Sequence, residues 1–440
     1  MDGGRKRRRG ETRARRVPME SFDLVGIGVG PSNLSLAALA EPVEGLRAGF
    51  LESKPRFRWH PGLMLPDAWL QVSYLKDLVT LVDPTSRFSF LNFLSEQGRI
   101  FRALVANGMS CSRQEFEQYY QWAAEGLPDI HWQSRVKSVS VVGDRFEVVC
   151  DSGLTATARS LVLGSGREPY LPPFAAAFHG SRVLHGSELL SVRPDLAGRR
   201  VMVVGAGQSG AEVVNYLLSE DAATPAELTW VSSRVGFLPI DDSPFSNEWF
   251  APSYVDYFHS LPAGRRADLL GRQRLASDGV SESLLRKIYQ RLYRLDHLEG
   301  GTLSHRLLPC RRVTDLRGHA DGVEVSVLDT DRDVRETVPA DVVVFCTGYR
   351  SRFPDYLEPL REALTGDGGA FRVRRDYSLD WDGPPGLRVF VQNFAEDSHG
   401  IADPNLSLSA WRSARIVNAA VGREVYRTDG ASTATAWSSA

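Results

Sequence analysis

Phe22 to Ile27 reads FDLVGI and runs on through Gly28-Val29-Gly30-Pro31 into a helical pattern at Asn33 to Leu39, and this short passage decides the fold. An apolar stretch dense in β-formers, then glycines, then a helical period spells strand, turn and helix. Glycines let the backbone bend tightly and approach a pyrophosphate, whose charge then rests on the amides and dipole of the following helix. The fingerprint is read as Gly26, Gly28 and Gly30, with Pro31 where a third glycine is usual; proline suits the first turn of a helix. Downstream, GFLES predicts a second strand that ends in Glu52, ~20 residues on and placed to bind ribose hydroxyls. The competing reading is a glycine-rich turn without chemistry.

A second unit of the same kind lies far along the chain. The apolar strand Arg200 to Val204 leads into Gly205-Ala206-Gly207-Gln208-Ser209-Gly210, a full GxGxxG, and an amphipathic helix at Ala211 to Leu218. Its next strand, Leu228 to Val231, ends in Ser232-Ser233-Arg234 with no carboxylate. A carboxylate would repel a ribose 2'-phosphate, whereas an arginine welcomes it, so this unit selects NADP over NAD unless Arg234 is merely an exposed loop residue.

Two segments tie the units together. Leu161-Val162-Leu163-Gly164-Ser165-Gly166 looks like a strand leaving the first unit through a glycine turn, and Asp341 to Tyr349, with Thr347 and Gly348, like the strand that returns to it. The expected architecture is therefore α/β, with two Rossmann-like dinucleotide-binding domains, the second inserted in the first. The first takes 19–165 and 340–426, and the second 166–235 and 300–339. Residues 236–299, rich in aromatic and helical signals, are expected to form a small helical substrate region, though plain helix packing explains them equally well.

Composition bounds the rest. A chain of 440 residues with 42% hydrophobic and 24% charged side chains is ordinary globular material of two or three domains. Its four cysteines form no close pair, which argues against a disulfide framework and against a dithiol relay, and for a reducing, cytoplasmic setting. No apolar run approaches the ~20 residues of a membrane span. The net charge of -2 hides a basic run at residues 1–16 that carries +6 and leaves -8 for the remainder. That run reads as a solvated extension, or as an upstream start before a natural first residue at Met19, rather than as a nucleic-acid grip. Residues 1–18 and 427–440 are expected to be disordered tails.

Two nucleotide units, one with an acidic ribose residue and one with an arginine, are most economically FAD and NADPH. Without a dithiol pair, oxygen activation remains: reduced flavin and O2 give a C4a-hydroperoxide that needs a soft, uncharged nucleophile. The chain here resembles the N-hydroxylating flavoprotein monooxygenases of siderophore biosynthesis, the lysine and ornithine N-monooxygenases, from Met19 to about Tyr426. The resemblance rests on GIGVGPSNLSLAAL from Gly26, the long string from Trp59 through QVSYLKDL, VVGAGQSGAE from Val203, DDSPFSNEWF from Asp241, FCTGYRS from Phe345 and SHGIADPNLSLSAWRSARIVN from Ser398.

That resemblance implies that Gln71 and Lys76 face flavin and substrate, that Lys76 binds the substrate carboxylate and that Asn247 assists. It further suggests that Trp59, His60, Thr347, Gly348, Tyr349, Leu406 and Ser407 border the flavin, with His399 near it. By residue type alone Lys76 is an exposed lysine, Asn247 a loop cap, Ser407 a helix cap, and His60 and His399 structural histidines. The string LASDGVSES at Leu275 to Ser283 departs from the Asn-Tyr string of ornithine-specific members, so the lysine type is favoured, with cadaverine, putrescine or ornithine as alternative substrates. Members of the family assemble as homo-oligomers, often tetramers. No metal is expected. The competing classes are a sulfur- or ketone-oxidising flavoprotein and a non-enzymatic NADPH-binding regulator.

Overall fold

The computed structural model describes residues 19–219, 223–300, 303–365, 369–429 and 433–437; the basic run at 1–16 lies outside them. Strand Leu24–Ile27 stands at the centre of a five-stranded parallel sheet, between Ser160–Leu163 on one side and Ala48–Leu51 on the other. Arg388–Val391 and Ile130–His131 form its edges. All four residues of the central strand are buried, which is why it reads as an unbroken apolar run instead of an alternating one. The helix Pro31–Ala40 is buried along nearly its whole length because it is sandwiched between this sheet and the closing helix Ser409–Val421. An antiparallel sheet of Val136–Val142, Arg145–Cys150 and Thr155–Ala158, joined by Met19–Ser21, packs into the same core.

A second five-stranded parallel sheet runs Val183–His185, Val342–Phe345, Arg200–Val204, Glu227–Val231, Ser304–Leu308. In chain order all five fall between Ser160–Leu163 and Arg388–Val391 of the first sheet, so the second unit is inserted in the first. The expectation for 340–349 is corrected: Val342–Phe345 pairs with Arg200–Val204 and Val183–His185 in the second sheet, and the strand that returns to the first is Arg388–Val391. A strand buried on both faces looks alike in either sheet, so its own apolar run does not say which one it joins. Between the units, Glu168–Pro169 and Tyr349–Arg350 pair as a short antiparallel ribbon.

The segment 244–297 is helical, as Pro244–Asn247, Pro252–Ser260, Ala263–Arg272, Arg274–Asp278 and Glu282–His297. It belongs to neither unit alone. Phe250, Val255 and Ala276 enter the core of the first unit, whereas Ile288 and Leu292 enter that of the second. The expected disorder of 427–440 is corrected for the described part. The Trp437 ring lies 4.7 Å from that of Tyr254, and Glu248 accepts the amides of Ala434 and Thr435 at 2.6 and 3.0 Å. Composition predicted fraying, but one tryptophan and two captured amides give the segment a docking place that no local pattern announces. No helix among the described residues is long and apolar enough to cross a membrane.

Candidate active site

The first cradle is built around Gly28, not Gly26. Gly28 directly follows the strand with φ of +85°, and a Cβ there would stand 2.7 Å from the Gly164 carbonyl oxygen, so glycine is required. Gly26 lies inside the strand, where a Cβ would meet the Phe50 ring at 2.4 Å; it serves packing. The register is thus Gly28, Gly30 and Asn33, and Pro31 is the first helical residue instead of the third fingerprint position. Asn33 ties the turn by donating from Nδ2 to the Gly28 carbonyl at 2.8 Å. Nothing lies within 4 Å of where a Gly30 Cβ would be, which leaves room for a pyrophosphate. Glu52 is buried at the end of its strand, with Oε2 accepting the Val29 amide at 2.8 Å and Oε1 the Lys54 amide at 2.9 Å.

These residues line a cleft of about 1420 Å³ that also takes in Trp59, His60, Thr347, Gly348, Tyr349 and Asn405. Trp59 is anchored by its amide, which donates to Glu117 Oε1 at 2.8 Å, while its ring leans on Phe116 and Tyr120. His60 has φ of 46°, and its ring is 6.0 Å from that of Tyr349. Thr347 donates to the Tyr170 carbonyl, and Gly348, at φ of +80°, accepts the Tyr170 amide at 2.9 Å. An open glycine turn, a buried carboxylate at the end of the second strand and a cleft of this size fit FAD.

The second cradle keeps the full fingerprint. Gly205 has φ of +122° with its Cβ direction filled by the Cys346 carbonyl oxygen at 2.3 Å. A Cβ on Gly210 would stand 2.1 Å from the Gly205 carbonyl oxygen, the close helix-to-strand approach that the third glycine permits. Gln208 and Ser209 open the helix Gln208–Leu217, and Gly207 caps it. Arg234 donates from Nη1 to the Asp278 carbonyl at 3.0 Å, and Nη2 is 3.6 Å from the Asp278 carboxylate. The same Asp278 carbonyl is 3.5 Å from a Gly207 Cβ position, which brings Arg234 close to the second glycine turn. A glycine turn and a nearby arginine fit NADPH.

Lys76 does not line the flavin cleft; its Nζ donates to Ser407 Oγ at 2.9 Å, which Asn405 of the cleft holds, and lies 5.8 Å from the Phe250 ring centroid. Burial holds its pKa below the usual lysine value. Ser407 is not the cap of its turn; Asn405 Oδ1 accepts the Ser407 amide at 2.8 Å and its hydroxyl at 2.7 Å, with Leu406 between them. Gln71 Nε2 donates to Gln208 Oε1 at 3.1 Å. Asn247 is exposed and donates from Nδ2 to the Asp242 carbonyl at 2.8 Å instead of reaching Lys76. His399 does not line the cleft either. It is 1% exposed, stacks on Tyr377 at 4.1 Å, and bonds through Nδ1 to Ser398 Oγ at 2.8 Å. Burial, followed by His259, pushes its pKa down to about 3.

Two buried charge groups escape sequence reasoning. Arg412, 1% exposed, pairs with Asp403 at 2.8 Å and also donates to Gln392, Ser32 and Asn393, pinning the closing helix to the first cradle's helix. Arg113 and Glu212 form a two-pronged pair at 2.8 and 2.7 Å across the two units. Pairings between distant segments have no local signature; only the apolar neighbours of each charge hinted at burial.

A flavin cradle and a phosphorylated-dinucleotide cradle in one chain define a two-nucleotide flavoprotein oxidoreductase. Residues 20–351 match the model of the L-lysine 6-monooxygenase/L-ornithine 5-monooxygenase family. The L-lysine N6-monooxygenase of Escherichia coli is 40% identical over 410 residues, covering 92% of this chain and 96% of that one. Among solved structures, the FAD-bound cadaverine monooxygenase of the desferrioxamine pathway from Erwinia amylovora superposes with a TM-score of 0.87 at 34% identity, over 95% of this chain and 99% of that one. The Kutzneria ornithine N-hydroxylase, with reduced FAD, NADP+ and L-ornithine, gives 0.84 at 31% identity, over 91% and 99%. This chain belongs to the lysine/ornithine N-monooxygenase family. It is an FAD- and NADPH-dependent enzyme that N-hydroxylates an amine in siderophore biosynthesis.

Proposed function

We propose that the substrate is L-lysine, hydroxylated on its side-chain nitrogen to N6-hydroxylysine. The observation that carries this reading is the Lys76 ammonium, drawn out of water beside Ser407 Oγ and the Phe250 ring. A desolvated cation at a substrate site calls for an anionic partner. An amino acid brings a carboxylate to it, whereas cadaverine and putrescine bring a second cation. Lysine is preferred to ornithine because the stretch Leu275 to Ser283 lacks the Asn-Tyr string of ornithine-specific members, and because the lysine enzyme of Escherichia coli is 40% identical.

The net reaction consumes one amine, one O2, one NADPH and one proton, and yields the hydroxylamine, water and NADP+. When bound, FAD and NADPH supply the reducing and oxygen-activating chemistry. In this reading the chain's own residues do the rest. Gly28, Gly30 and Glu52 hold the flavin nucleotide; Gly205, Gly207, Gln208, Ser209, Gly210 and Arg234 hold the reductant. Lys76 anchors the substrate carboxylate with Ser407 behind it, and Asn247 turns from the Asp242 carbonyl to meet the bound amino acid. The substrate's amine has an ordinary pKa near 10.4 and must be neutral to carry a lone pair, a state that exclusion of water favours.

The deciding experiment supplies purified protein with FAD, NADPH and each of L-lysine, L-ornithine, cadaverine and putrescine, and measures hydroxylamine formed. The highest kcat/KM is expected with L-lysine. A higher value with cadaverine or putrescine would overturn the amino-acid reading.

A further inference from the structure

Glu212 sits four residues into the helix of the second cradle, 4% exposed, and it is the centre of a network that crosses the molecule. Its carboxylate takes both prongs of Arg113, at 2.8 and 2.7 Å, and the Gln208 side-chain amide at 2.9 Å. Gln208 Oε1 in turn accepts Gln71 Nε2 at 3.1 Å and the Ser281 amide at 3.0 Å. Arg113 and Gln71 come from one platform at the seam of the two units, with Leu70 and Cys111 in the core of the first and Ala68 in that of the second. The Arg113 amide donates to the Ala68 carbonyl at 2.8 Å and the Leu70 amide to the Cys111 carbonyl at 3.1 Å, so the two short segments are laced together. That platform therefore grips the reductant's helix at two points one turn apart, and Gln208 stands at the helix N-terminus, where a pyrophosphate rests.

A buried ion pair is a poor stabiliser, because desolving both charges consumes what their attraction returns; the best-attested use of such a pair is to set register. We propose that Glu212 is a positioning residue that, through Arg113 and Gln208, fixes the NADPH cradle against the flavin unit in the register that hydride transfer requires. The Arg113 fork sets where the helix lies, and the shared Gln208 amide converts that placement into the orientation of the first helical residue. Hydride transfer falls steeply with misplacement, so a loosened register slows flavin reduction even when both cofactors remain bound.

The test is anaerobic stopped-flow reduction of the FAD-loaded enzyme at saturating NADPH, which consumes no amine and so is independent of the substrate reading. Glu212→Gln is expected to keep its FAD and an unchanged kcat/KM for the amine, while flavin reduction slows at least tenfold. Reduction at the wild-type rate would overturn the proposal. The double variant Arg113→Met with Glu212→Leu replaces the pair by apolar bulk. It is expected to melt near wild type yet remain slow in reduction; recovery of both would mean that packing alone suffices and would likewise overturn it. Should Glu212→Gln fail to fold, Arg113→Lys decides, since it keeps a buried cation but loses the fork: several-fold slower reduction supports the role, and an unchanged rate refutes it.

Discussion

Lys76 and Ser407, from the two ends of the chain, meet at 2.9 Å, with the lysine ammonium donating to a hydroxyl that is itself held by Asn405 Oδ1 at 2.7 Å. The contact orients Lys76 without neutralising it. A serine hydroxyl offers one acceptor and no charge, so most of the ammonium's hydrogen-bonding capacity is left for an anion that arrives from solution.

Replacing Lys76 by Ala removes that partner. KM for L-lysine is expected to rise at least tenfold, the scale of a hydrogen bond to a charged group at ~1.5–3 kcal/mol. Any residual turnover of cadaverine should change little. Steady-state assays with both amines check this, and an unaltered lysine KM would remove Lys76 from the substrate's reach.

Arg234 now spends its donors on Asp278, at 3.0 and 3.6 Å. A 2'-phosphate carries more charge than that half-exposed carboxylate and can take its place. Arg234→Ala is expected to lower kcat/KM for NADPH by one to two orders of magnitude, roughly 1.5–3 kcal/mol, and to leave NADH nearly untouched. Equal losses with both reductants would show that the arginine does not read the phosphate.

Asp403→Ala strands Arg412, whose side chain is 2% exposed. Breaking a buried pair from one side costs about 3–5 kcal/mol. Urea unfolding of the FAD-loaded protein should show a loss of that size. A loss below ~1 kcal/mol would mean that the Asp403 carbonyl, which Ala keeps, together with Gln392, Ser32 and Asn393 satisfies the guanidinium.

His399 supplies part of the pH dependence, alongside His60, whose pKa burial lowers to about 4. Folded, the His399 pKa is near 3 against an ordinary 6.5, so between those values the unfolded chain binds a proton that the native protein does not. Stability from this group is therefore complete above about pH 6.5 and is lost on acidification at up to ~1.4 kcal/mol per pH unit. His399→Phe should flatten the dependence of the urea midpoint between pH 6.5 and 4.5. Parallel slopes for the two proteins would assign the effect to other groups.

Much of the architecture was legible because parallel α/β units announce themselves locally. The strand at 24–27 and its glycine turn, the GAGQSG turn, Glu52 and Arg234 each follow from residues a few positions apart. The errors share one cause. Gly26 and Gly28 look alike in a string, and only the strand's end shows that Gly28 makes the turn while Gly26 packs on Phe50. Val342–Phe345 and Arg388–Val391 are both short apolar runs, and only pairing tells which of them closes the first sheet. Residues 433–437 read as tail because the stretch around them is rich in Ser, Thr and Ala, yet Trp437 finds Tyr254.

Within the amine site the division is similar. By themselves, residue order and chemistry determined two dinucleotide turns and the insertion of one unit in the other, since these depend on backbone geometry over a few residues. Only the tertiary structure decided that Lys76 rests on Ser407, that His399 is buried against Tyr377, and that Glu212 joins Arg113 to Gln208. Such contacts arise where segments far apart in the chain are brought together in a medium that excludes water, and the energy of a polar side chain there is set by which partner it meets, a fact no neighbouring residue encodes.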